Sequence, residues 1–341
     1  MSLGRGGALS TPFDVVTGAF SYTGRAIAAR LLDGGREVLT LTRRPGPATP
    51  GLRSAPFSFD DPAALAASLE GAETFYNTYW VRFQHGEVTF ARAAANTRLL
   101  LAAARQARVR RFVHISVTKA SERSPLPYFR WKGVLERDVA ASGLPFAIVR
   151  PTLIFGSEDI LVNNIAWLLR HAPVFPVPGR GDYRVQPVSV EDTAALAVGA
   201  GDGETLDAAG PEMYTFAELV RLVARAVGAR ARIVHAPPGL ALRLGRLAGR
   251  LRGDVILTDE ELTGLMRSLL VSHGPPTGRA SFREWLDRSG ETLGRRYVSE
   301  LRRNYAHAAI ADHDRPRGAT SERAHLQEPA RADRAVGGRQ G

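Results

Sequence analysis

A regular alternation of short apolar segments with helical segments over residues 14–151 constrains the fold most. The pattern predicts strands at 14–17, 37–42, 72–79, 111–116 and 145–149, and helices at 24–32, 63–69, 89–106 and 126–142. Strands that alternate with helices at this spacing form βαβ units around a parallel sheet. We therefore expect an α/β fold built on a doubly wound parallel sheet.

The alternation fades after about residue 156, and this change suggests how the chain is divided. We expect an N-terminal extension at 1–12, a Rossmann-type domain at 13–156, and the remaining sheet elements with a smaller, mostly helical region at 157–305. Residues 306–341 contain few large apolar residues and are expected to form a disordered tail. A predicted helix at 238–251 has arginines on one side and leucines on the other. Packing against the body of the protein is favoured over binding to a membrane surface.

Composition argues against several kinds of site. The chain has no cysteine, and its 8 histidines are scattered without metal-ligand spacing, so no metal is expected. The net charge of +11 comes mostly from arginines spread along the chain, so no nucleic-acid partner is predicted. No apolar stretch is long enough for a transmembrane segment, and the first residues do not resemble a signal peptide, which favours a cytoplasmic protein. Peripheral membrane contact stays open, and the sequence does not indicate an oligomeric state.

The strongest local signal is the segment from Thr17 to Arg25, which has the spacing G-x-x-S-x-x-G. Gly18 would permit a tight turn after the first strand, and Gly24 would let the following helix press against the sheet. A pyrophosphate would bind at the N-terminus of that helix, among free N–H groups at the positive end of the dipole. Ser21 stands where such turns usually have their middle glycine, and its hydroxyl could itself bond a phosphate.

The end of the second predicted strand indicates the type of dinucleotide. It reads Thr42-Arg43-Arg44, without the carboxylate that usually bonds the ribose 2′-hydroxyl of NAD. Guanidinium groups would instead bind a 2′-phosphate through charge-assisted hydrogen bonds. NADP is therefore favoured as the cofactor, with NAD as the alternative. The competing interpretation is that both arginines are ordinary surface residues of an arginine-rich chain.

Tyr128 and Lys132 are four residues apart on a predicted helix and so share one of its faces. A nearby ammonium stabilises a phenolate, which would lower the pKa of the tyrosine towards the range of a general acid or base. Lys132 is one of only two lysines, with Lys119, among 45 basic residues. A lysine in such a chain suggests a need for a compact ammonium group.

With these motifs, the chain resembles the short-chain dehydrogenase/reductase superfamily, in its atypical, NAD-dependent epimerase/dehydratase-like branch. Two further segments carry the likeness, R-P-T-L-I-F-G at 150–156 and Q-P-V-S-V-E-D-T-A at 186–194. The chain is also similar to the NAD(P)-binding accessory subunit of respiratory complex I and its bacterial relatives. The resemblance covers roughly residues 13–305.

The resemblance implies hydride transfer between nicotinamide and a carbonyl or alcohol carbon of a small or lipid-like substrate. Tyr128 would donate or accept the proton, Lys132 would orient the ribose, and a serine or threonine would polarise the carbonyl. The catalytic residues expected are Tyr128, Lys132, Ser116 and Thr118. Those expected to bind the cofactor are Gly18, Phe20, Ser21, Tyr22, Thr23, Gly24, Arg43, Arg44, Asp60, Asn77, Lys132, Pro151 and Thr152.

Three departures from the family pattern bear on function. Ser21 replaces the middle glycine, Ser58 stands where many relatives have an aspartate beside adenine, and Val117 takes the usual position of a catalytic serine. Loss of a donor to a developing oxyanion costs about a hundredfold or more in rate. Two interpretations therefore stay open. Intact Tyr128 and Lys132 favour a reductase or epimerase-type enzyme, whereas Val117 favours a non-catalytic NADP-binding protein that senses redox state or supports an assembly.

The substrate pocket is expected between the carboxyl ends of the strands and the later helices. Its candidate lining residues are Phe155, Trp167, Tyr183 and Arg184. Apolar residues between 161 and 168 suggest an apolar substrate, although core packing explains them equally well.

Overall fold

The computed structural model describes residues 12–43 and 46–305. Seven parallel strands form the central sheet in the order β3-β2-β1-β4-β5-β6-β11. Their bounds are Phe13–Thr17 (β1), Glu37–Thr42 (β2), Leu52–Pro56 (β3), Ala72–Asn77 (β4), Arg111–Ile115 (β5), Phe146–Pro151 (β6) and Glu204–Ala208 (β11). The expected α/β doubly wound parallel sheet is confirmed.

Helices cover both faces of this sheet because its strands are apolar on both sides. Successive strand residues point to opposite faces, so Val15 packs with one layer and Val16 with the other. One layer consists of α1 (Tyr22–Asp33) and α6 (Val190–Gly199), and the other of α2 (Pro62–Ser68), α3 (Phe90–Gln106) and α4 (Pro127–Ala140).

A second apolar core lies in the C-terminal half. It is built around the helices α5 (Ile160–His171), α7 (Phe216–Ala226) and α10 (Phe282–Ser289). Short strand pairs flank it: β7 (Leu153–Phe155) with β10 (Pro187–Ser189), β8 (Val174–Pro178) with β13 (Arg232–Ala236), and β9 (Arg184–Val185) with β12 (Tyr214–Thr215). The remaining elements are α8 (Pro238–Arg252), α9 (Asp259–Met266) and a π-helical turn at Leu301–Tyr305.

Strand β11 and helix α6 belong to the central sheet domain although they follow residue 156 in the sequence. The proposed division of the chain at residues 156 and 157 stays a prediction. The expected extension at 1–12 lies outside the described residues except for its last member, and the expected tail at 306–341 lies wholly outside them. Within the described ranges, no helix is long and apolar enough to cross a membrane.

Helix α8 does not pack as the sequence suggests. Its leucine side was expected to lie against the body of the protein, yet Leu244, Leu247 and Leu251 are exposed. The buried residues of the helix are Ala241, Leu242 and Gly249. A narrow face of mostly small residues therefore makes the contact, and the leucines remain in solvent.

Candidate functional site

The strand order reverses between β1 and β4, and the predicted turn lies at this point. In open α/β sheets, ligands bind outside the carboxyl ends of the strands where the order reverses. The carboxyl ends of β1 and β4 are held together by hydrogen bonds between Thr17, at the end of β1, and Thr78, just after β4. The Thr78 hydroxyl donates to the Thr17 carbonyl over 2.6 Å, and the Thr78 N–H donates to the Thr17 hydroxyl over 2.8 Å.

Both glycines of the turn are required by its geometry. Gly18 has a φ of +66°, which side chains rarely adopt. A Cβ on Gly24 would lie 2.3 Å from the Gly18 carbonyl oxygen and 2.8 Å from that of Thr17. Both obstacles are backbone atoms that cannot move aside, so the turn accepts no side chain at Gly24.

Ser21 uses its hydroxyl inside the turn. Its Oγ donates to the Gly18 carbonyl oxygen over 2.6 Å, and no side chain caps the N-terminus of α1. The first N–H groups of α1 are therefore free of side-chain acceptors, at the positive end of the helix dipole. This arrangement fits a bound pyrophosphate, and the serine replaces the middle glycine without blocking the helix end.

The residues next to the turn have mixed environments. The Phe20 ring packs on Gly46, where a Cβ would lie 2.1 Å from the ring. The Tyr22 hydroxyl is buried without a hydrogen-bond partner among the described residues, and it lies close to Gly156. Burial raises the pKa of Tyr22 above its ordinary value. Thr23 is partly exposed at the start of α1.

Arg43 lies at the end of β2, in the position expected to distinguish NADP from NAD. Its Nε donates to the Phe57 carbonyl over 3.3 Å, and its guanidinium lies 5.8 Å from the centroid of the Phe59 ring. The Arg43 side chain is exposed. Arg44 lies outside the described residues. Asp60 is exposed nearby, and its N–H donates to the Ser58 hydroxyl over 3.3 Å.

Asn77 is fully buried at the end of β4, where it ties two strands together. Its Nδ2 lies 3.0 Å from Nδ1 of His114 on β5, and its Oδ1 accepts from the Tyr79 N–H over 3.2 Å. Both polar ends of the side chain are thus already bonded within the protein. Its expected contact with the cofactor stays a prediction.

Tyr128 lies in the first turn of α4 among aromatic rings. Its ring meets those of Trp80 and Phe90 edge-on, with centroids 6.3 Å and 5.8 Å away. Its backbone N–H donates to the carboxylate of Glu260 on α9, and its hydroxyl makes no hydrogen bond within the described part of the chain. Burial raises the pKa of Tyr128, and the charge of Glu261 raises it further. The lowering of the Tyr128 pKa that was expected from a neighbouring lysine is not observed in this structure.

Lys132 is buried one turn further along α4, with 2% of its surface exposed. Its Nζ donates to the Ile115 carbonyl over 2.7 Å and lies 4.7 Å from the Trp80 ring centroid. Burial lowers the pKa of Lys132 to about 7, and the Glu136 carboxylate opposes that fall. Glu136 is itself bonded to Arg150, whose Nε donates to it over 2.9 Å, so α4 is fixed against β6.

The residues after β5 face different surroundings. The Ser116 hydroxyl is buried without a partner among the described residues. Val117, at the position where the resemblance predicts a catalytic serine, lines a cavity beside Tyr128. Thr118 is fully buried, and its hydroxyl donates to Asp207 of β11 over 3.4 Å. Thr118 does not line the cavity.

The cavity beside Tyr128 has a volume of about 210 Å³. Its apolar lining consists of Val117, Phe129, Leu161, Leu257, Leu265 and Leu270, and its polar lining includes Arg82, Thr258, Glu260 and Glu261. Thr152 also lines it, but the Thr152 hydroxyl donates to the Gln186 and Ala208 carbonyls. Pro151 is buried in β6. The expected lining residues Phe155, Trp167, Tyr183 and Arg184 are not part of this cavity.

Three contributors to the site carry no signal in the sequence. Trp80 covers the Lys132 ammonium from the loop after β4, and Glu260 reaches the N-terminus of α4 from α9. Arg82 bonds Glu261 and Glu300, and its Nη2 donates to the Ile256 carbonyl over 3.2 Å. All three act on residues that are distant in the chain, so no local spacing indicates them. Among the described residues, no group of histidines and carboxylates is arranged to hold a metal.

The family model for an NAD(P)H-binding domain matches residues 18–160 of this chain. The match begins at the first glycine of the turn and ends in α5. It therefore contains the turn, Arg43, Tyr128 and Lys132.

Two curated proteins and one solved structure extend the likeness beyond that segment. Ceramide reductase of Caulobacter vibrioides is 30% identical over 66% of this chain and 74% of its own length. NADH dehydrogenase [ubiquinone] 1 alpha subcomplex subunit 9 of Arabidopsis thaliana is 28% identical over 64% of this chain, and the match spans only 60% of that subunit. The NADPH complex of an Escherichia coli NADPH-dependent quinone oxidoreductase has the same fold. Its TM-score is 0.66 at 20% identity, over 81% of this chain and 99% of that one.

Proposed function

Since this chain belongs to the short-chain dehydrogenase/reductase superfamily, in its atypical, epimerase-like branch, and contains the NAD(P)-binding domain of that family, we propose that it is an NADP-dependent reductase of an apolar carbonyl compound. The observation that carries the proposal is the cavity beside Tyr128. Its lining is largely apolar, and the Tyr128 hydroxyl has no partner among the described residues. An unpaired phenol beside an apolar cavity is suited to meet a carbonyl oxygen there.

The chain's own residues would hold the dinucleotide as follows. The N-terminus of α1 would bind the pyrophosphate, with Gly18 and Gly24 allowing the backbone to approach it. Arg43 would bind the 2′-phosphate of NADP, because a guanidinium attracts that phosphate and no carboxylate at the end of β2 repels it. When bound, the nicotinamide cofactor supplies the hydride.

Tyr128 would donate its proton to the oxygen of the substrate carbonyl. A phenol whose pKa is raised by burial keeps its proton at neutral pH, which suits the acid needed for reduction. Lys132, one turn along the same face of α4, would position the ribose. The bonds from Glu260 to the N-terminus of α4 and from Arg150 to Glu136 would hold the helix that carries both residues.

The apolar lining favours a reductase of an alkyl or acyl carbonyl compound over an epimerase of a sugar nucleotide. A sugar ring offers several hydroxyl groups that need polar partners, and most of this lining provides none. The similarity to a ceramide reductase supports the same substrate class, a carbonyl attached to a long apolar chain.

The test is NADPH oxidation with methyl ketones of increasing chain length. Each further methylene that the cavity accepts should raise kcat/KM about fourfold, since burying one CH₂ is worth about 0.8 kcal/mol. Tyr128→Phe should lower kcat/KM by roughly 10²- to 10⁴-fold without changing the Kd for NADPH. Tyr214→Phe is the matched control, because Tyr214 packs on Phe282 away from the cavity. Equal activity of the Tyr128→Phe variant and the wild type would contradict the assigned role.

A second candidate function is a non-catalytic NADP-binding protein that senses redox state or supports an assembly. The observation that favours it is Val117 in the cavity wall, because neither Thr118 nor Thr152 offers a free hydroxyl in its place. The similarity to a subunit of NADH dehydrogenase is consistent with this role. Tight NADPH binding without turnover of any ketone would favour this function over the reductase.

A further inference from the structure

Helix α8 presents a stripe of four exposed leucines. Leu240, Leu244, Leu247 and Leu251 are 48%, 43%, 54% and 79% exposed. They account for half of the eight large apolar side chains that are exposed among the described residues. The spacing of four, three and four residues aligns them along one side of the helix. We call this row the leucine stripe.

The leucine stripe lies opposite the face by which α8 is attached. A Cβ on Gly249 would lie 2.6 Å from the Asp254 carbonyl oxygen, so this side of the helix is in close contact with the chain that follows it. Ala241 and Leu242 are buried on the same side. At 3.6 residues per turn, the attached face is centred roughly 150° from the stripe. The leucines are therefore free to meet a partner without any rearrangement of the fold.

Two arginines flank the leucine stripe without an anionic partner. Arg243 and Arg250 are exposed, and neither pairs with a carboxylate among the residues the structure describes. On a helical projection they lie roughly 70–90° from the centre of the stripe, on the same side of it. Arg246, further round the helix, is paired with Asp259, and Arg252 stacks over Trp167. The unpaired cations are thus those closest to the leucines.

We propose that α8 binds the surface of an anionic lipid bilayer, with the leucine stripe in the acyl region and Arg243 and Arg250 at the phosphate headgroups. An exposed apolar row with cations along its edge is the pattern by which amphipathic helices lie in a membrane interface. The net charge of +11 attracts the whole protein to such a surface.

Two other partners for the leucine stripe, a second copy of the chain and residues 306–341, are disfavoured. A second copy of the chain would bring the unpaired Arg243 and Arg250 of each copy close together, and like charges repel. Residues 306–341 contain only three large aliphatic residues, Ile310, Leu326 and Val336, and carry one more basic than acidic residue. That segment therefore offers neither the apolar area nor the negative charge that would match this face. The proposal does not depend on the reductase activity.

The test is co-sedimentation of the full chain with vesicles of phosphatidylcholine alone or mixed with phosphatidylglycerol. The wild type should bind the mixed vesicles, and added salt should weaken that binding by screening the charges. Arg243→Gln with Arg250→Gln should reduce the partition coefficient roughly 30-fold, from about fivefold for each arginine. Leu244→Ser with Leu247→Ser and Leu251→Ser should reduce it by tenfold or more.

The matched control is Arg105→Gln with Arg230→Gln, which removes two exposed arginines elsewhere on the surface. This variant has the same net charge as the α8 arginine variant and should keep most of the binding. NADPH affinity should be unchanged in all three variants, which establishes that each is folded. The proposal is overturned if the wild type does not bind the mixed vesicles, or if the α8 variants bind as well as the control. A wild-type dimer that the leucine variant converts to monomer would also overturn it.

Discussion

Burial of Lys132 makes the stability of the protein depend on pH in a defined window. Its Nζ is held between the Ile115 carbonyl and the Trp80 ring, and burial lowers its pKa from 10.5 to about 7. Between these two values the unfolded chain binds a proton that the folded protein does not. The free energy of unfolding therefore rises with pH across this window. Below about pH 7 both states are protonated, and this stabilisation is absent.

The magnitude follows from the two pKa values. Between about pH 7.5 and about pH 9, Lys132 should add roughly 2 kcal/mol to the free energy of unfolding of the cofactor-free protein. Two other buried groups titrate outside this pH window. Burial lowers the pKa of His114 and raises that of Asp159 to about 6, so both titrate at lower pH.

The assay is urea unfolding of the cofactor-free protein at the two pH values. Lys132→Met removes the amine but keeps a long, unbranched side chain, and it should abolish most of the rise. The matched control is Lys119→Met, since Lys119 is partly exposed and donates to the Ser268 carbonyl over 3.2 Å. That variant should keep the wild-type rise. An equal rise in wild type and Lys132→Met would refute the argument.

Three further substitutions test the cofactor site and the cavity. Gly24→Ala should weaken NADPH binding at least 100-fold in a fluorescence titration, because the new Cβ would collide with backbone atoms. Gly199→Ala is the control, since a Cβ there meets nothing within 4 Å, and equal binding by both variants would contradict the turn geometry. Arg43→Ala should raise the Kd for NADPH about tenfold and leave the Kd for NADH unchanged, with Arg105→Ala as the control. An equal loss of affinity for both cofactors would contradict the assignment of Arg43 to the 2′-phosphate. Val117→Ser places a hydroxyl in the cavity wall and should raise kcat for ketone reduction tenfold or more; an unchanged kcat would mean that no polarising group is missing there.

The sheet and its phosphate-binding turn could be predicted from the sequence because both depend on local patterns. The strand at Glu37–Thr42 has its predicted bounds, and Gly18 and Gly24 lie within a single strand–turn–helix segment. Strands β3 and β11 were not predicted because both are edge strands whose side chains are mostly exposed or half-buried and have little apolar character.

The environment of the candidate catalytic residues could not be predicted, because it is set by contacts between distant parts of the chain. The spacing of Tyr128 and Lys132 on one helix was readable, but the effect of burial on each pKa was not. Trp80 and Glu260 lie 52 and 132 residues from the residues they contact. Thr118 stays a candidate for the catalytic hydroxyl, and no local pattern indicates its bond to Asp207 of β11. Such contacts require the tertiary structure.

The central claim is that this protein transfers a hydride from NADPH to an apolar carbonyl carbon with Tyr128 as the acid. The most direct measurement uses NADPH deuterated at the nicotinamide C4, a long-chain methyl ketone and mass spectrometry of the alcohol formed. We predict deuterium on the carbinol carbon with wild type and with Tyr214→Phe, and a loss of at least 100-fold in the rate with Tyr128→Phe. Formation of no deuterated alcohol by a wild-type protein that binds NADPH would contradict the claim.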